Sequence, residues 1–106
     1  MIQSAWNGKT LTVYLDGEID HCASEGLRED IETELKSRPI SRLVLDFSHV
    51  RFMDSSGIGM IIGRYKTMKA LGGEVTAQGL YPPVDKLFHL AGLHRIIAIN
   101  QSEDNI

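Results

Sequence analysis

The chain has 106 residues, of which 42% are hydrophobic and 24% are charged, and its formal net charge is −3. That length suits one domain with a real hydrophobic core, and without a basic tract or an apolar run of about 20 residues neither nucleic-acid binding nor membrane insertion is expected. Cys22 is the only cysteine and excludes an internal disulfide, and the N-terminus lacks a signal-peptide pattern, so a cytoplasmic protein is predicted.

An antiparallel hairpin is predicted at the start of the chain. Residues Met1–Asn7 have the composition of a weak strand, and Asn7-Gly8 supplies the positive φ angles of a tight turn. Thr10–Leu15 alternates polar and apolar residues and is rich in strand-forming types, so it predicts a second, antiparallel strand. Asp16–Glu18 is expected to be a turn or the end of that strand.

An amphipathic helix is predicted from about Cys22 to Lys36, because apolar residues recur at every fourth position among charged ones. The recurring apolar residues are Ala23, Leu27, Ile31 and Leu35. Asp20 or Ser24 is available to cap the start of this helix. Pro39 lies just beyond its end and prevents continuation.

A buried strand and a second helix follow. Leu43–Phe47 is a short apolar run of the kind found inside a sheet. Ile58–Leu71 has apolar residues at helical spacing and is followed by Gly72 and Gly73, which end the helix. Its predicted buried stripe is Ile58, Ile61, Ile62, Tyr65, Met68 and Leu71. Glu74–Ala77 is predicted to be the next strand.

A third helix and a last strand complete the pattern. Pro82 and Pro83 open the helix at positions where a missing N–H does no harm, and Gly92 ends it. Its predicted buried side is Val84, Leu87, Phe88 and Ala91. Ile96–Ile99 is predicted to be the final strand, and the polar tail Asn100–Ile106 is expected to be frayed.

The predicted order is β-β-α-β-α-β-α-β. Strands that alternate with helices indicate a mostly parallel sheet with right-handed crossovers, and the initial hairpin adds an antiparallel edge. The sequence therefore predicts a single α/β domain over residues 1–106, with a mostly parallel mixed sheet, an N-terminal antiparallel hairpin and helices packed on the sheet.

The segment Arg51–Lys66, RFMDSSGIGMIIGRYK, is the most distinctive part of the chain. In the predicted fold a strand ends at Phe47, a connection runs over Ser48–Ser55, and a helix begins near Ser56. Sites in open α/β sheets gather at the carboxyl ends of strands. The segment is therefore in the right place to be a site.

Helix capping is the simplest interpretation of the paired serines. Asp54 or Ser55 can accept hydrogen bonds from the first free N–H groups, but capping does not explain a second serine followed by glycines.

A serine nucleophile is the second interpretation. It would need a base, which one of the four histidines could provide, but the G-x-S-x-G elbow is absent. These histidines are His21, His49, His89 and His94.

A nucleotide-binding loop fits the glycines poorly. Gly57, Gly59 and Gly63 are not followed by the Lys-Ser/Thr pair of a Walker loop. A dinucleotide motif would need a further glycine at position 62, which is isoleucine.

A phosphorylation switch is the fourth interpretation. A serine in the first turn of a helix presents its hydroxyl outward, and phosphate would add about −1.5 to −2 charges. The helix N-terminus tolerates that charge, because its dipole and free N–H groups favour anions. Beside Asp54, the added phosphate would be repelled by an acidic partner surface or would be costly to desolvate against an apolar one. Modification would therefore switch binding without unfolding the domain.

The glycines of the predicted helix suggest contact with another backbone. Gly59 and Gly63 are four residues apart and are predicted to lie opposite the apolar stripe, although each costs up to about 1 kcal/mol inside a helix. Met60, also predicted to face outward, would offer an adaptable apolar contact. Packing of these glycines under a neighbouring loop of the same chain is the alternative.

The motifs resemble those of anti-sigma factor antagonists, which carry the STAS domain. FMDSSGIG at Phe52–Gly59, running into GRYK at Gly63–Lys66, is similar to the family signature, and GRYK is closest to the sporulation branch that acts on sigma F. GEIDH at Gly17–His21 resembles the family's turn before the first helix. VDKLF at Val84–Phe88, followed by AGL at Ala91–Leu93, resembles its third helix.

The resemblance implies a partner-switching mechanism. The unphosphorylated protein would bind an anti-sigma factor that is itself a serine kinase, and so release the sigma factor. The kinase would then phosphorylate Ser56, which ends binding, and a PP2C-type phosphatase would remove the phosphate. The residues implied at or beside the docking surface are Asp20, His21, Asp54, Ser55, Gly57, Gly59, Met60, Gly63 and Arg64.

The same resemblance leaves a second function open, a STAS module in another assembly such as a general stress-response complex. No catalysis, cofactor or metal site is predicted in either case; Cys22 is expected to be a small, partly buried residue, and the histidines to be structural or solvated. One departure from the family is the tail after Ser102, which leaves little room for a C-terminal helix.

Overall fold

The computed structural model describes residues 2–100. In these residues two strands form the initial hairpin and three further strands alternate with three helices; a short 3-10 helix, Leu93–Arg95, precedes the last strand. The elements in chain order are β1 Gln3–Asn7, β2 Thr10–Ile19, α1 His21–Leu35, β3 Arg42–Met53, α2 Ser55–Ala70, β4 Glu74–Gln78, α3 Pro82–Leu90 and β5 Ala98–Asn100.

The strands form one sheet in the order β1-β2-β3-β4-β5. The β1–β2 pair is antiparallel, and each later strand lies parallel to its predecessor. The predicted fold class is confirmed: a mostly parallel mixed sheet in an α/β fold, with an antiparallel hairpin at its N-terminal edge and helices packed on it.

The core lies on both sides of the central strands. Leu43, Val44 and Leu45 are consecutive and all buried, so β3 is covered on both faces. On α3, Phe88 meets Phe47 edge to face, with 5.6 Å between the ring centroids. Helix α2 packs against α1 as well as against β3 and β4, and this double contact determines which of its residues are accessible.

Strand β3 continues well beyond the predicted end at Phe47. The expected connection Ser48–Ser55 is wrong, because β3 runs to Met53. Of the two alternatives for Asp16–Glu18, the strand end is confirmed, because β2 extends to Ile19. The register shows two irregularities at which β3 carries an extra residue opposite β2. Such bulges break the two-residue alternation by which a strand is recognised, so this part of β3 resembles a loop in sequence.

The C-terminal boundaries also differ from the prediction. Ala91 is exposed at the end of α3, and the last strand begins at Ala98 rather than at Ile96 because the 3-10 helix occupies the intervening turn. Asn100 belongs to β5, while the rest of the predicted tail and Met1 lie outside the described residues. Cys22 is exposed, not partly buried. Among residues 2–100, no helix has the length and hydrophobicity needed to cross a membrane.

Asp46, in the middle of β3, is hydrogen-bonded to the end of the neighbouring strand β4. Its carboxylate accepts hydrogen bonds from Gln78 Nε2 on β4, at 2.8 Å, and from the backbone N–H of Ser48, at 2.9 Å. Partial burial by itself would raise the pKa of Asp46, but these hydrogen bonds and the nearby His49 outweigh it, so the pKa is lowered.

A carboxyl group with a lowered pKa in the folded state stabilises the fold while it is ionised. We expect Asp46→Asn to reduce the free energy of unfolding by about 1 kcal/mol near neutral pH. The difference from wild type should persist above the unfolded-state pKa of about 4 and disappear as the pH falls through the lower, folded-state pKa. Urea unfolding between pH 2 and pH 7 measures this, with the exposed Glu29→Gln as control; a difference that grows on acidification would contradict the assignment.

Candidate functional site

The N-termini of α1 and α2 lie side by side at one edge of the sheet. Strand β2 ends at Ile19 and strand β3 at Met53, and these two residues are register partners in the parallel pair. Each strand is followed directly by an aspartate and then by a helix. The topology therefore brings together two groups that are distant in sequence: Asp20 and His21, and Asp54, Ser55 and Ser56.

Both aspartates cap the helices that follow them. Asp20 Oδ1 accepts from the N–H of Ala23 and Asp54 Oδ1 from the N–H of Ser56, each at 2.9 Å. The two caps have nearly the same extended backbone conformation. Ser24, the alternative cap, is buried inside α1 instead. Capping by Asp54 is confirmed, and it leaves both serines of the motif free of the capping role.

Ser55 and Ser56 are the first two residues of α2. Ser55 is exposed and Ser56 is half-buried. Within the described part of the chain neither hydroxyl donates or accepts a hydrogen bond, to a histidine or to any other residue. The arrangement presents the serines to an external group rather than to an internal base.

Gly57 is buried for reasons internal to the fold. A Cβ at this position would overlap the side chain of Met53 and would lie 3.0 Å from Ile19 Cγ2. Glycine therefore allows the first turn of α2 to rest directly on the ends of β2 and β3. The side of Gly57 on which a side chain would stand faces the core. This position therefore does not support the prediction that Gly57 belongs to the docking surface.

Gly59 and Gly63 lie on the open side of α2. No described atom is within 4 Å of a Cβ built at either position, so the alternative of a covering loop is not found in residues 2–100. At 3.6 residues per turn, both glycines point in directions between those of Ser55 and Ser56. Together these four residues form a smooth strip, called the serine–glycine strip below.

The predicted outward position of Met60 is wrong. Its side chain is only 5% exposed. The apolar stripe beginning at Ile58 describes the side of α2 that faces the sheet, but α1 covers an adjoining side, as the contacts of Arg64 and Thr67 with Glu32 show. Met60 is one turn before Arg64 on that adjoining side, so it is buried although it lies outside the stripe.

The Arg64 side chain is also buried inside the molecule. Its side chain is 8% exposed, and its Nε lies 2.7 Å from Oε2 of Glu32 on α1, which also accepts from Thr67 Oγ1 at 2.9 Å. Nε and Nη1 of Arg64 have no aligned hydrogen-bond acceptor among the described residues. The contact with Glu32 is therefore an ion pair rather than a bidentate clamp. Burial lowers the pKa of Arg64, and the charge of Glu32 partly offsets this. The Arg64 side chain is thus engaged inside the molecule, and its place at or beside the docking surface stays a prediction.

His21 remains accessible beside the strip. Its side chain is 76% exposed, and Nε2 lies 3.8 Å from Oε1 of Glu25. No cluster of three or more histidine, cysteine or acidic side chains suited to a metal occurs within residues 2–100. Sequence reasoning missed Glu32, since a pairing between two helices leaves no local spacing signal; it also missed Ile19 and Met53 as the support under Gly57.

Comparison with known proteins places this site in a family. Residues 2–106 match the STAS domain family. An anti-sigma F factor antagonist of Paenibacillus polymyxa is 39% identical over 95 residues, which cover 90% of this chain and 81% of that protein. An anti-sigma-B factor antagonist of Bacillus subtilis (strain 168) is 31% identical over 98 residues, 92% of this chain and 88% of that protein. The chain belongs to the STAS domain family and, within it, to the anti-sigma factor antagonists.

Solved structures agree with this placement. The anti-sigma factor antagonist SpoIIAA in its unphosphorylated form superposes with a TM-score of 0.83 at 29% identity, covering 99% of this chain and 91% of that one. The Bacillus cell fate determinant SpoIIAA in its phosphorylated form gives 0.75 at 28% identity, with coverage of 99% and 95%. The relatives are named for the factor that they antagonise, so the family to which the chain belongs is one of regulatory binding proteins.

Proposed function

We propose that this chain is a phosphorylation-controlled antagonist of an anti-sigma factor in the sigma F pathway of sporulation. The unphosphorylated form binds an anti-sigma factor that is a serine kinase, and the sigma factor is released. The kinase phosphorylates Ser56, which ends binding, and a PP2C-type phosphatase restores the active form. In this proposal residues 1–106 act as one STAS domain in the cytoplasm, without nucleic acid, membrane or cofactor.

The serine–glycine strip is the observation that carries the proposal. It joins an accessible pair of serines to two glycines whose Cα atoms nothing in the described chain covers. Gly59 and Gly63 would let a partner backbone approach α2 closely, directly beside the phosphate acceptor. A kinase bound along this strip would have the Ser56 hydroxyl within its contact area, which is what a partner that is also a kinase requires.

The proposed docking surface consists of the predicted residues that are accessible. Asp20 and His21 lie at the start of α1, which the pairing of Ile19 with Met53 brings beside the start of α2, where Asp54 and Ser55 lie. Phosphate on Ser56 would add negative charge next to the capping carboxylate of Asp54. The first turn of α2 tolerates an anion, but a partner surface matched to the uncharged serine does not. The switch therefore acts on binding and spares the fold.

A general stress-response partner is the second candidate, favoured by the 31% identity to the anti-sigma-B factor antagonist. The mechanism would be the same and the kinase different. Measuring the affinity of the unmodified chain for the anti-sigma F and anti-sigma-B kinases of the same genome separates the candidates. Preference for the sigma B partner would reassign the pathway while keeping the switch.

Mapping of the phosphorylation site tests the proposed mechanism. We expect the purified chain, incubated with its kinase and ATP, to gain a single phosphate on Ser56, the second serine of the DSSG motif. Ser56→Ala should bind the kinase and gain no phosphate, whereas Ser55→Ala should still be modified. Mass spectrometry of the digested protein reads the site, and phosphate found on Ser55 alone would overturn the assignment.

A further inference from the structure

An apolar groove of about 300 Å³ lies between the end of β3 and one side of α3. Phe52 and Met53 line it from β3, and Leu87 and Leu90 line it from α3. Phe52 is 49% exposed and Leu90 is 75% exposed. Large apolar side chains that converge on one open groove mark an interaction surface more often than scattered ones do.

The charges along this groove are of one sign. Arg51 and Lys86 contribute to the lining, and no carboxylate does so among the described residues. The Arg51 guanidinium lies 5.0 Å from the centroid of the Tyr81 ring, which holds the cation at the groove's edge. Glu18 is the β2 register partner of Phe52 but lies outside the lining. The surface therefore fits a segment that combines apolar side chains with carboxylates.

Met53 connects this groove to the phosphorylation site. Its side chain lines the groove on one side and packs beneath Gly57 on the other, where it supports the first turn of α2. Only Asp54 and Ser55 separate Met53 from Ser56 along the chain. The groove therefore adjoins the first turn of α2, which carries Ser56, through one buried side chain.

We propose that the groove is a second contact for the anti-sigma partner and receives an amphipathic, acidic segment of it. The apolar side chains of that segment would cover Phe52 and Leu90, and its carboxylates would face Arg51 and Lys86. This mode resembles the docking of an amphipathic helix into a groove. The inference rests on the proposed function, because it concerns the same partner.

Leu90→Ser tests the apolar part of the contact, with Leu71→Ser as matched control. Leu71 is 53% exposed at the far end of α2, so both changes remove an exposed leucine. We expect Leu90→Ser to raise the Kd for the anti-sigma F kinase of the same genome about tenfold, and Leu71→Ser to change it less than about twofold. Titration calorimetry with the full, unphosphorylated chain measures the Kd, and thermal unfolding checks that both variants fold.

Lys86→Glu tests the charged part, with Lys36→Glu at the end of α1 as control. We expect Lys86→Glu to raise the Kd about fivefold, with a larger effect at low salt, since opposite charges at an interface act mainly on association. Because Lys86 is exposed, this variant tests the groove even if Leu90→Ser were unstable.

The possible failures are distinguishable. If wild type binds the kinase and is phosphorylated on Ser56 but the groove variants match their controls, the groove proposal is overturned and the proposed function stands. If wild type neither binds nor is phosphorylated, the proposed function fails and the groove proposal fails with it. If Leu90→Ser leaves the Kd unchanged but alters self-association in light scattering, a second copy occupies the groove and the proposal is wrong.

Discussion

Replacing Ser56 by aspartate is expected to weaken binding to the anti-sigma kinase by about 100-fold, equivalent to about 2.7 kcal/mol. The new carboxylate would stand in the first turn of α2, next to the capping carboxylate of Asp54. A partner that contacts the strip would have to bury this charge or meet it with like charge, and either costs several kcal/mol. Surface plasmon resonance with the immobilised kinase measures the affinity.

Two variants separate charge from shape in this experiment. Ser56→Asn has nearly the size of aspartate without its charge, and we expect a loss of no more than about fivefold. Ser55→Asp places the same charge one residue earlier, at the exposed end of the strip, and should weaken binding less than Ser56→Asp does. If the asparagine variant bound the kinase as weakly as the aspartate variant, the size of the side chain rather than its charge would account for the loss of affinity.

The fold itself should tolerate the Ser56→Asp change. Negative charge in the first turn of a helix is favoured by the helix dipole, and the effect is within about 1 kcal/mol. The free energy of unfolding is therefore expected to stay near that of wild type. Loss of binding together with unchanged stability is the behaviour that distinguishes a switch from a damaged protein.

Removing Arg64 is expected to lower the free energy of unfolding by about 3 kcal/mol. Arg64→Ala leaves Glu32 without its opposite charge between α1 and α2 and also removes packing around the arginine stem. The expected loss is at the lower end for buried pairs because the Glu32 side chain is 21% exposed and keeps the hydrogen bond from Thr67. Urea unfolding followed by circular dichroism measures it.

The chain offers an exposed ion pair as a matched control. Arg42 Nε and Glu74 Oε1 are also 2.7 Å apart, but their side chains are 51% and 57% exposed. Arg42→Ala is expected to cost less than about 1 kcal/mol, because water screens the exposed pair. The double variant Arg64→Met with Glu32→Leu should recover most of the stability lost in Arg64→Ala. Equal losses at the two arginines would show that burial does not govern the energetics of these pairs.

The fold class was predictable because it depends on short-range patterns. The helical spacing of Ile31 and Leu35, the turn residues Asn7-Gly8 and the paired prolines before α3 each act within a few residues of chain. The bulged half of β3 was not predictable in this way. Its extra residues are defined only by pairing with β2, and no local alternation reveals them.

In the candidate site too, some residues were predictable from local sequence and others depend on tertiary packing. Asp54 as a cap and the unusual pair Ser55-Ser56 follow from the DSSG motif, since a helix start is specified by adjacent residues. Met60 and Arg64 show what the motif cannot specify. Met60 was assigned to the outer side of α2 from one helical stripe, and Arg64 was placed at or beside the docking surface by the resemblance. Both are buried because a second helix covers that side.

By itself, the amino-acid sequence determined the order of the elements, the class of fold and the segment on which the proposed function depends, because caps, turns and periodicity act locally. Only the tertiary structure decided which residues of that segment are accessible. The parallel pairing of Ile19 with Met53 places two helix N-termini together, and the packing of α1 on α2 buries Arg64 while Gly59 and Gly63 stay open. These are contacts between residues far apart in the chain, and their geometry exists only after the elements have packed.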